Sequence, residues 1–333
     1  MSHLFKQKQL YVAADRFRWK GRVDGEDKDW MRWHQWVSCV DLLTVPDLAG
    51  AYSILGFCSD EGVSRNLGRA GAKDGPATLR DVLANLPVYF SDEVKVKDCG
   101  DILVMDSDLE SSQEALGQAL ATVLRSGGFP IVFGGGQEVT YGHYLGIKQH
   151  LGGSSHKIGF INLDAHLDMR PLPGGFGNSG TGFYQIEQDL RAMGASFHYL
   201  AIGIQQISNT RGLCDYAQTK GVQLIRSDDL IPSNLEKLQN QVRAFAAEVD
   251  YLYLTIDLDM FAAPYAPGVS APAFNGVVPN EIFFGLFETL IKLPNLRSLD
   301  IAELNPRYDI DGRTAKLAAD LLFKFVNGAT DRL

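Results

Sequence analysis

The chain has 333 residues, 45% apolar and 21% charged, enough to bury a large core as one α/β domain or as two small ones. Its formal charge of −9, without clustered Lys and Arg, excludes a surface built to neutralise nucleic-acid phosphates. A small-molecule substrate becomes the default partner.

Met1 to Phe17 mix Lys, Gln, Asp and Arg among apolar residues and lack the continuous apolar core of a signal peptide. No later run is long and apolar enough to cross a bilayer. Cys39, Cys58, Cys99 and Cys214 are scattered, without CxxC spacing or the density of a disulfide scaffold, and read as free thiols of a cytoplasmic protein, mostly filling core space.

Short apolar, β-branched or aromatic runs predict strands at Tyr52–Phe57, Ile102–Met105, Ile131–Phe133, Ile158–Leu163, Tyr199–Ile204, Val222–Ile225, Tyr251–Ile256 and Leu299–Ala302. Most are separated by segments of helical period. In the last of these Leu317, Leu321, Leu322 and Phe325 share a face and Asn327-Gly328 supplies a stop. Strands alternating with helices imply a largely parallel sheet covered on both faces, with ligands gathered beyond the carboxyl ends of its strands. No long linker, charge block or internal repeat divides the chain, so residues 1–333 are expected to form a single catalytic domain. Pro171 to Gly180, Gly-rich and directly after a polar strand end, reads as a functional loop.

The strongest chemical signal is Asn162-Leu163-Asp164-Ala165-His166-Leu167-Asp168-Met169-Arg170. In extended chain residues two apart point the same way, so Asp164, His166 and Asp168 are expected to project together past the strand end. A second apolar strand ends in Asp257-Leu258-Asp259, again carboxylates at i and i+2. Either motif alone could be a helix cap or a solvated turn. Two such sets at the ends of apolar strands instead call for cations, because unpaired buried carboxylates are costly. Four carboxylates and one imidazole form a mostly hard, oxygen-rich set that favours Mn²⁺ over a structural zinc, and two divalent ions there would generate a water-derived nucleophile at neutral pH. Phe133-Gly134-Gly135-Gly136-Gln137-Glu138 follows another strand, where glycines permit close backbone approach, although a plain strand-to-helix turn explains them as well. Asp300-Ile301-Ala302-Glu303-Leu304-Asn305-Pro306 adds a carboxylate on the same edge.

These four motifs, in this order along nearly the whole chain, resemble the ureohydrolase superfamily, which includes arginases, agmatinases and formimidoylglutamases. Within it the chain looks most similar to the formimidoylglutamase family, through Gly21-Arg22-Val23-Asp24, Arg32-Trp33-His34-Gln35, Glu61 to Arg69, Asn178-Ser179-Gly180-Thr181 and Gly268 to Pro272. The resemblance implies a three-layer α/β/α fold with a mainly parallel eight-stranded sheet, assembled as trimers or hexamers. It implies manganese-dependent hydrolysis of N-formimidoyl-L-glutamate to L-glutamate and formamide, in histidine degradation. Asp164, Asp168 and Asp257 would hold one ion and Asp164, His166, Asp257 and Asp259 the other, with Asp164 and Asp257 bridging. Glu303 would pair with the substrate's amidinium.

Two positions depart from the pattern. Gln137 stands where the family usually has a histidine ligand of the first ion, and an amide oxygen is the poorer donor, so that site is expected to be weak or empty. Ser179 stands where arginases and agmatinases carry a histidine, which removes that proton shuttle. The dicarboxylate end of the substrate calls for local cations in a chain of net negative charge; Arg170 is the leading candidate, with Arg65, Arg69 and Arg313 as weaker ones that surface or structural pairing explains as well. The proton donor to the leaving nitrogen is open: Asp168 or bound water, with His143 reading better as a structural helix residue. Competing readings are a hydrolase of a guanidine such as agmatine or guanidinobutyrate, a single-metal zinc deacetylase, or a metal-impaired, non-catalytic paralogue.

Overall fold

The computed structural model describes residues 7–44, 46–152 and 156–328, so the first six residues of the amino-terminal reading lie outside it. Among the described residues ten strands join one sheet: β1 (Tyr11–Val12), β2 (Ser38–Cys39), β3 (Ala51–Cys58), β4 (Lys95–Leu103), β5 (Phe129–Phe133), β6 (Ile158–Leu163), β7 (His198–Ile204), β8 (Gln223–Arg226), β9 (Tyr251–Asp257) and β10 (Leu296–Ala302). Their order is β1-β4-β3-β5-β10-β9-β6-β7-β8, with β2 beside β4. The eight longer strands are mutually parallel, and they are the eight expected from the apolar runs. Two-residue β1, antiparallel, and two-residue β2 are additions too short for periodicity to reveal. β4 also begins well before its expected start, because Lys95, Lys97 and Asp98 are charged and leave no apolar run there to mark a strand.

Helices α1 (Trp33–Trp36), α2 (Glu61–Arg65), α3 (Gly75–Leu83), α4 (Leu109–Arg125), α5 (Val139–Leu151), α6 (Gly182–Ala192), α7 (Arg211–Thr219), α8 (Leu235–Ala247), α9 (Glu281–Ile291) and α10 (Arg313–Gly328) lie between and after the strands. Parallel neighbours require such crossovers, which cover both faces. The two faces carry separate cores. Ile54, Ile161 and Leu254 pack with residues of α3, α8, α9 and α10, whereas Leu55, Phe160 and Tyr253 pack with residues of α4, α5 and α6. Adjacent strand residues feeding opposite cores is the signature of a three-layer α/β/α sandwich. In α10, Leu321, Leu322 and Phe325 are buried and Leu317 is partly so; the helix runs through Gly328, the last of the described residues.

Among the described residues no helix is long and apolar enough to cross a membrane. All four cysteines are free, but only Cys99 is fully buried, so core filling describes that thiol better than the other three.

Candidate metal centre

The acidic motifs meet at the carboxyl ends of β6 and β9, adjacent strands in the middle of the sheet. This is the edge where a parallel sheet gathers ligands. β6 stops at Leu163, so the segment 164–168 is not extended strand, and Asp168 has a left-handed φ of 48°. The expected common projection of Asp164, His166 and Asp168 therefore does not arise from strand alternation. The chain turns, and the three side chains divide between two groups.

One group is Asp164, Asp168 and Asp257; the other is Asp164, His166 and Asp259; in each, one ligand atom per residue lies within 4.8 Å of the others. Asp164 belongs to both. Asp257, the last residue of β9, joins only the first of these groups, and its Oδ1 accepts from Asp259 N at 2.7 Å, which shapes the turn Leu258–Met260. Asp164 Oδ1 likewise accepts from His166 N at 2.6 Å, and its Oδ2 from Asn162 Nδ2 at 2.9 Å. His166 Nδ1 lies 3.1 Å from Asp259 Oδ2 and 3.4 Å from Asp164 Oδ1.

Electrostatics mark the cluster as one that wants positive charge. Burial, then repulsion from Asp259, pushes Asp164 up to about 6. Burial together with Asp164 holds Asp168 well above the carboxylate range, and burial together with Asp259 does the same to Asp257. Burial pushes Glu303 up to about 8. Burial disfavours charged His166, yet Asp259 and Asp164 outweigh it and hold the imidazole well above its ordinary value. Burial also opposes ionised Asp259, but His166 prevails and lowers it. Divalent cations would relieve each of the raised carboxyls by supplying opposite charge.

Two buried oxygens fit a cation directly, because neither Gln137 Oε1 nor Asp259 Oδ1 has a hydrogen-bond partner. Gln137 follows a turn that only glycine allows, and its Nε2 lies 3.4 Å from Oδ1 of Asn162, the residue that donates to Asp164. A Cβ on Gly135 would sit 1.8 Å from Ser59 O, and one on Gly136 would sit 2.2 Å from Glu138 Oε2. Beyond the turn Gln137 N donates to Glu303 Oε1 at 2.8 Å. Glu303, with φ of 70°, also accepts at Oε2 from the backbone N and the hydroxyl of Ser270. Ser270 was not singled out from sequence; only its place in the segment Gly268 to Pro272 marked it.

On the rim, Arg170 is exposed and its guanidinium donates to Asn66 Oδ1 at 2.7 Å, while Asn66 Nδ2 donates to Ser179 Oγ at 2.9 Å. Asn66, which joins the two candidate substrate contacts, was marked from sequence only by its place in the segment Glu61 to Arg69. Arg65 is engaged by Glu61, Glu110, Ser107 O and Gly177 O, and so braces the loop 171–180. Arg69 donates to Val269 O and Pro267 O and lies over the Tyr308 ring at 4.1 Å. Arg313 lies 3.6 Å from Asp311, half exposed. His143 is fully buried in α5 with Nδ1 2.8 Å from Asp300 Oδ2.

With this geometry in view, residues 51–327 match the model of the arginase family. The chain belongs to the arginase family. Its relatives in that family include the formimidoylglutamase of Rhodococcus jostii, 43% identical over 92% of this chain and 94% of the relative. The formimidoylglutamase of Ralstonia nicotianae is 41% identical over 96% of this chain and 97% of its own length. Among arginase-family structures, Trypanosoma cruzi formiminoglutamase with Mn²⁺ superposes with a TM-score of 0.74 at 30% identity, covering 86% of this chain and 95% of that one. The formimidoylglutamase of Bacillus subtilis, at 21% identity, shares the fold with a TM-score of 0.77 over 92% of this chain and 94% of its own.

Proposed function

We propose that this chain hydrolyses N-formimidoyl-L-glutamate to L-glutamate and formamide, a step of histidine degradation, with two manganese ions. The observation that carries the reading is the pair of buried ligand groups sharing Asp164. Support comes from relatives of that name at about 40% identity over most of the chain. Asp164, Asp168 and Asp257, with Gln137 Oε1, would hold one ion; Asp164, His166 and Asp259, with Asp257 reaching across, would hold the other. When bound, the ions supply Lewis-acid activation of the attacking water.

The remaining work falls to the chain's own groups. Glu303 receives the amidinium, whose charge lowers the carboxyl toward its ionised form. Arg170 takes a substrate carboxylate, and Ser179 offers its hydroxyl beside it. Arg65 serves by bracing the loop that carries Ser179, because its own donors are already engaged. Water adds to the formimidoyl carbon, the bond from that carbon to the glutamate nitrogen breaks, and the nitrogen gains a proton. We assign the relay of that proton, from the attacking water to the nitrogen, to Asp168, which lies in the cluster with Asp164 and Asp257. The weaker ligand Gln137 makes its ion the looser of the two. The reading extends to a cytoplasmic homo-oligomer, trimer or hexamer, with the chain as one catalytic domain.

The test is an assay of purified protein with added Mn²⁺ and N-formimidoyl-L-glutamate, measuring glutamate and formamide. Urea release from agmatine or guanidinobutyrate, with no glutamate formed from the first substrate, overturns the assignment.

A further inference from the structure

Beneath the ligands a row of polar side chains crosses the three central strands β6, β9 and β10. Asn162 on β6 is in register with Thr255 on β9, and Thr255 with Asp300 on β10. All three are fully buried. Asn162 and Thr255 precede Asp164 and Asp257 by two residues, and so share their face of the sheet. Buried polar groups of this kind are kept because each has a partner, and here the partners form a directed chain.

The carboxyl oxygens of Asp300 receive three neighbours. Thr255 Oγ1 donates to Oδ1 at 2.5 Å, the Tyr253 hydroxyl donates to Oδ2, and His143 Nδ1 lies 2.8 Å from that same oxygen. The His143 ring stacks on Tyr253 with centroids 4.0 Å apart. Thr255 has one hydroxyl proton, and Asp300 takes it, so toward Gln137 the hydroxyl can only accept. Gln137 Nε2 supplies that bond at 3.1 Å. Asn162 reinforces the choice: its Nδ2 donates to Asp164 Oδ2 and to the Tyr199 hydroxyl, leaving Oδ1 to face Gln137 Nε2 at 3.4 Å.

The geometry points to Thr255, held by Asp300, as a positioning residue that turns the Gln137 amide so that its oxygen, not its nitrogen, faces the ion of the Asp164–Asp168–Asp257 group. An amide has two ends of nearly equal shape, and only one binds a cation. Gln137 Oε1 is the end left without a partner. This inference rests on the reading of Gln137 as a ligand, but not on the identity of the substrate. It also gives the buried His143 and Asp300 a task, which is to fix the direction of one hydroxyl.

The experiment is Mn²⁺ titration of the full-length protein, wild type, Thr255→Val and Thr255→Ser, read by metal analysis and by the electron paramagnetic resonance of the bound ions. Valine keeps the shape of threonine without an acceptor; serine keeps the acceptor. The expected result is a loss confined to one ion in Thr255→Val, its affinity falling by roughly tenfold to a hundredfold, as for other groups that orient ligands. The signal of a coupled pair then gives way to that of an isolated Mn²⁺, while Thr255→Ser retains the pair. Unchanged affinity in Thr255→Val overturns the inference. So does equal loss of both ions, which marks a general structural role, and so does a wild type that never takes a second ion. A wild type that binds two ions yet forms no glutamate sinks the substrate assignment and leaves this inference standing.

Discussion

Removing the metal should make this protein less stable as the pH rises, the reverse of ordinary acid unfolding. Asp164 is raised from its ordinary 3.8 to about 6, and Glu303 from 4.5 to about 8, both by burial first. Asp168, Asp257 and His166 are raised as well. In the window between the unfolded and folded values the native chain binds more protons than the unfolded one, so stability falls as pH rises through it. Lowered Asp259 acts the other way, but only in the range below its ordinary 3.8. At about 1.4 kcal/mol per pKa unit, going from about pH 5 to about pH 8 removes roughly 1 kcal/mol through Asp164 and roughly 3 kcal/mol through Glu303. With about 2.1 cal/mol/K of unfolding entropy per residue over 333 residues, a loss near 4 kcal/mol lowers Tm by roughly 6 °C. Differential scanning fluorimetry of chelated protein across that range, with Mn²⁺-loaded protein in parallel, makes the measurement. The loaded protein should gain relative to the chelated one as pH rises, because ligands bind metal in their deprotonated forms. A Tm of chelated protein that stays flat or climbs from pH 5 to pH 8 refutes the reasoning.

Asp257→Ala is expected to abolish glutamate formation and to reduce bound manganese, as measured by metal analysis, because it removes one of the three carboxylates of the Asp164–Asp168–Asp257 group. Arg170→Ala should raise KM for N-formimidoyl-L-glutamate about tenfold to a hundredfold, from roughly 1.5–3 kcal/mol of lost charge-assisted hydrogen bonding, with manganese content unchanged; an unaltered KM would return Arg170 to its contact with Asn66 alone. Gln137→His should lower the Mn²⁺ concentration needed for full activation, since imidazole is the better donor. Two equally tight sites in the wild type, unaffected by that change, would show the amide to be an adequate ligand.

The eight parallel strands and the acidic edge were legible because most of the strands are compact apolar runs and each metal motif is a local string; β4 was marked only by its last two residues, Ile102 and Leu103. What escaped was non-local. The division of Asp168 from His166 depends on a left-handed backbone at Asp168, which spacing does not reveal. Arg65, a candidate for the substrate, is drawn away by Glu110, a residue 45 positions along the chain. Asn66 and Ser270 needed the folded loops before their partners could be named. Asn162 and Thr255 did carry a signal: each is a polar residue inside an apolar strand, two places before a ligand.

The buried row across β6, β9 and β10 also bears on how the sheet is assembled. Parallel apolar strands pair almost as well one step out of place, since Val, Ile, Leu and Phe interchange at modest cost. Slipping β9 by one residue against its neighbours turns Thr255 away from Asp300 and offers that carboxyl the side chain of Leu254 or Ile256 instead. It would also carry Asp257 into the opposite apolar core. Each misplacement strands a buried polar group and costs about 1–3 kcal/mol or more. The alignment of the central strands is thus favoured over its neighbouring registers by polar residues that could be mistaken for flaws in the core.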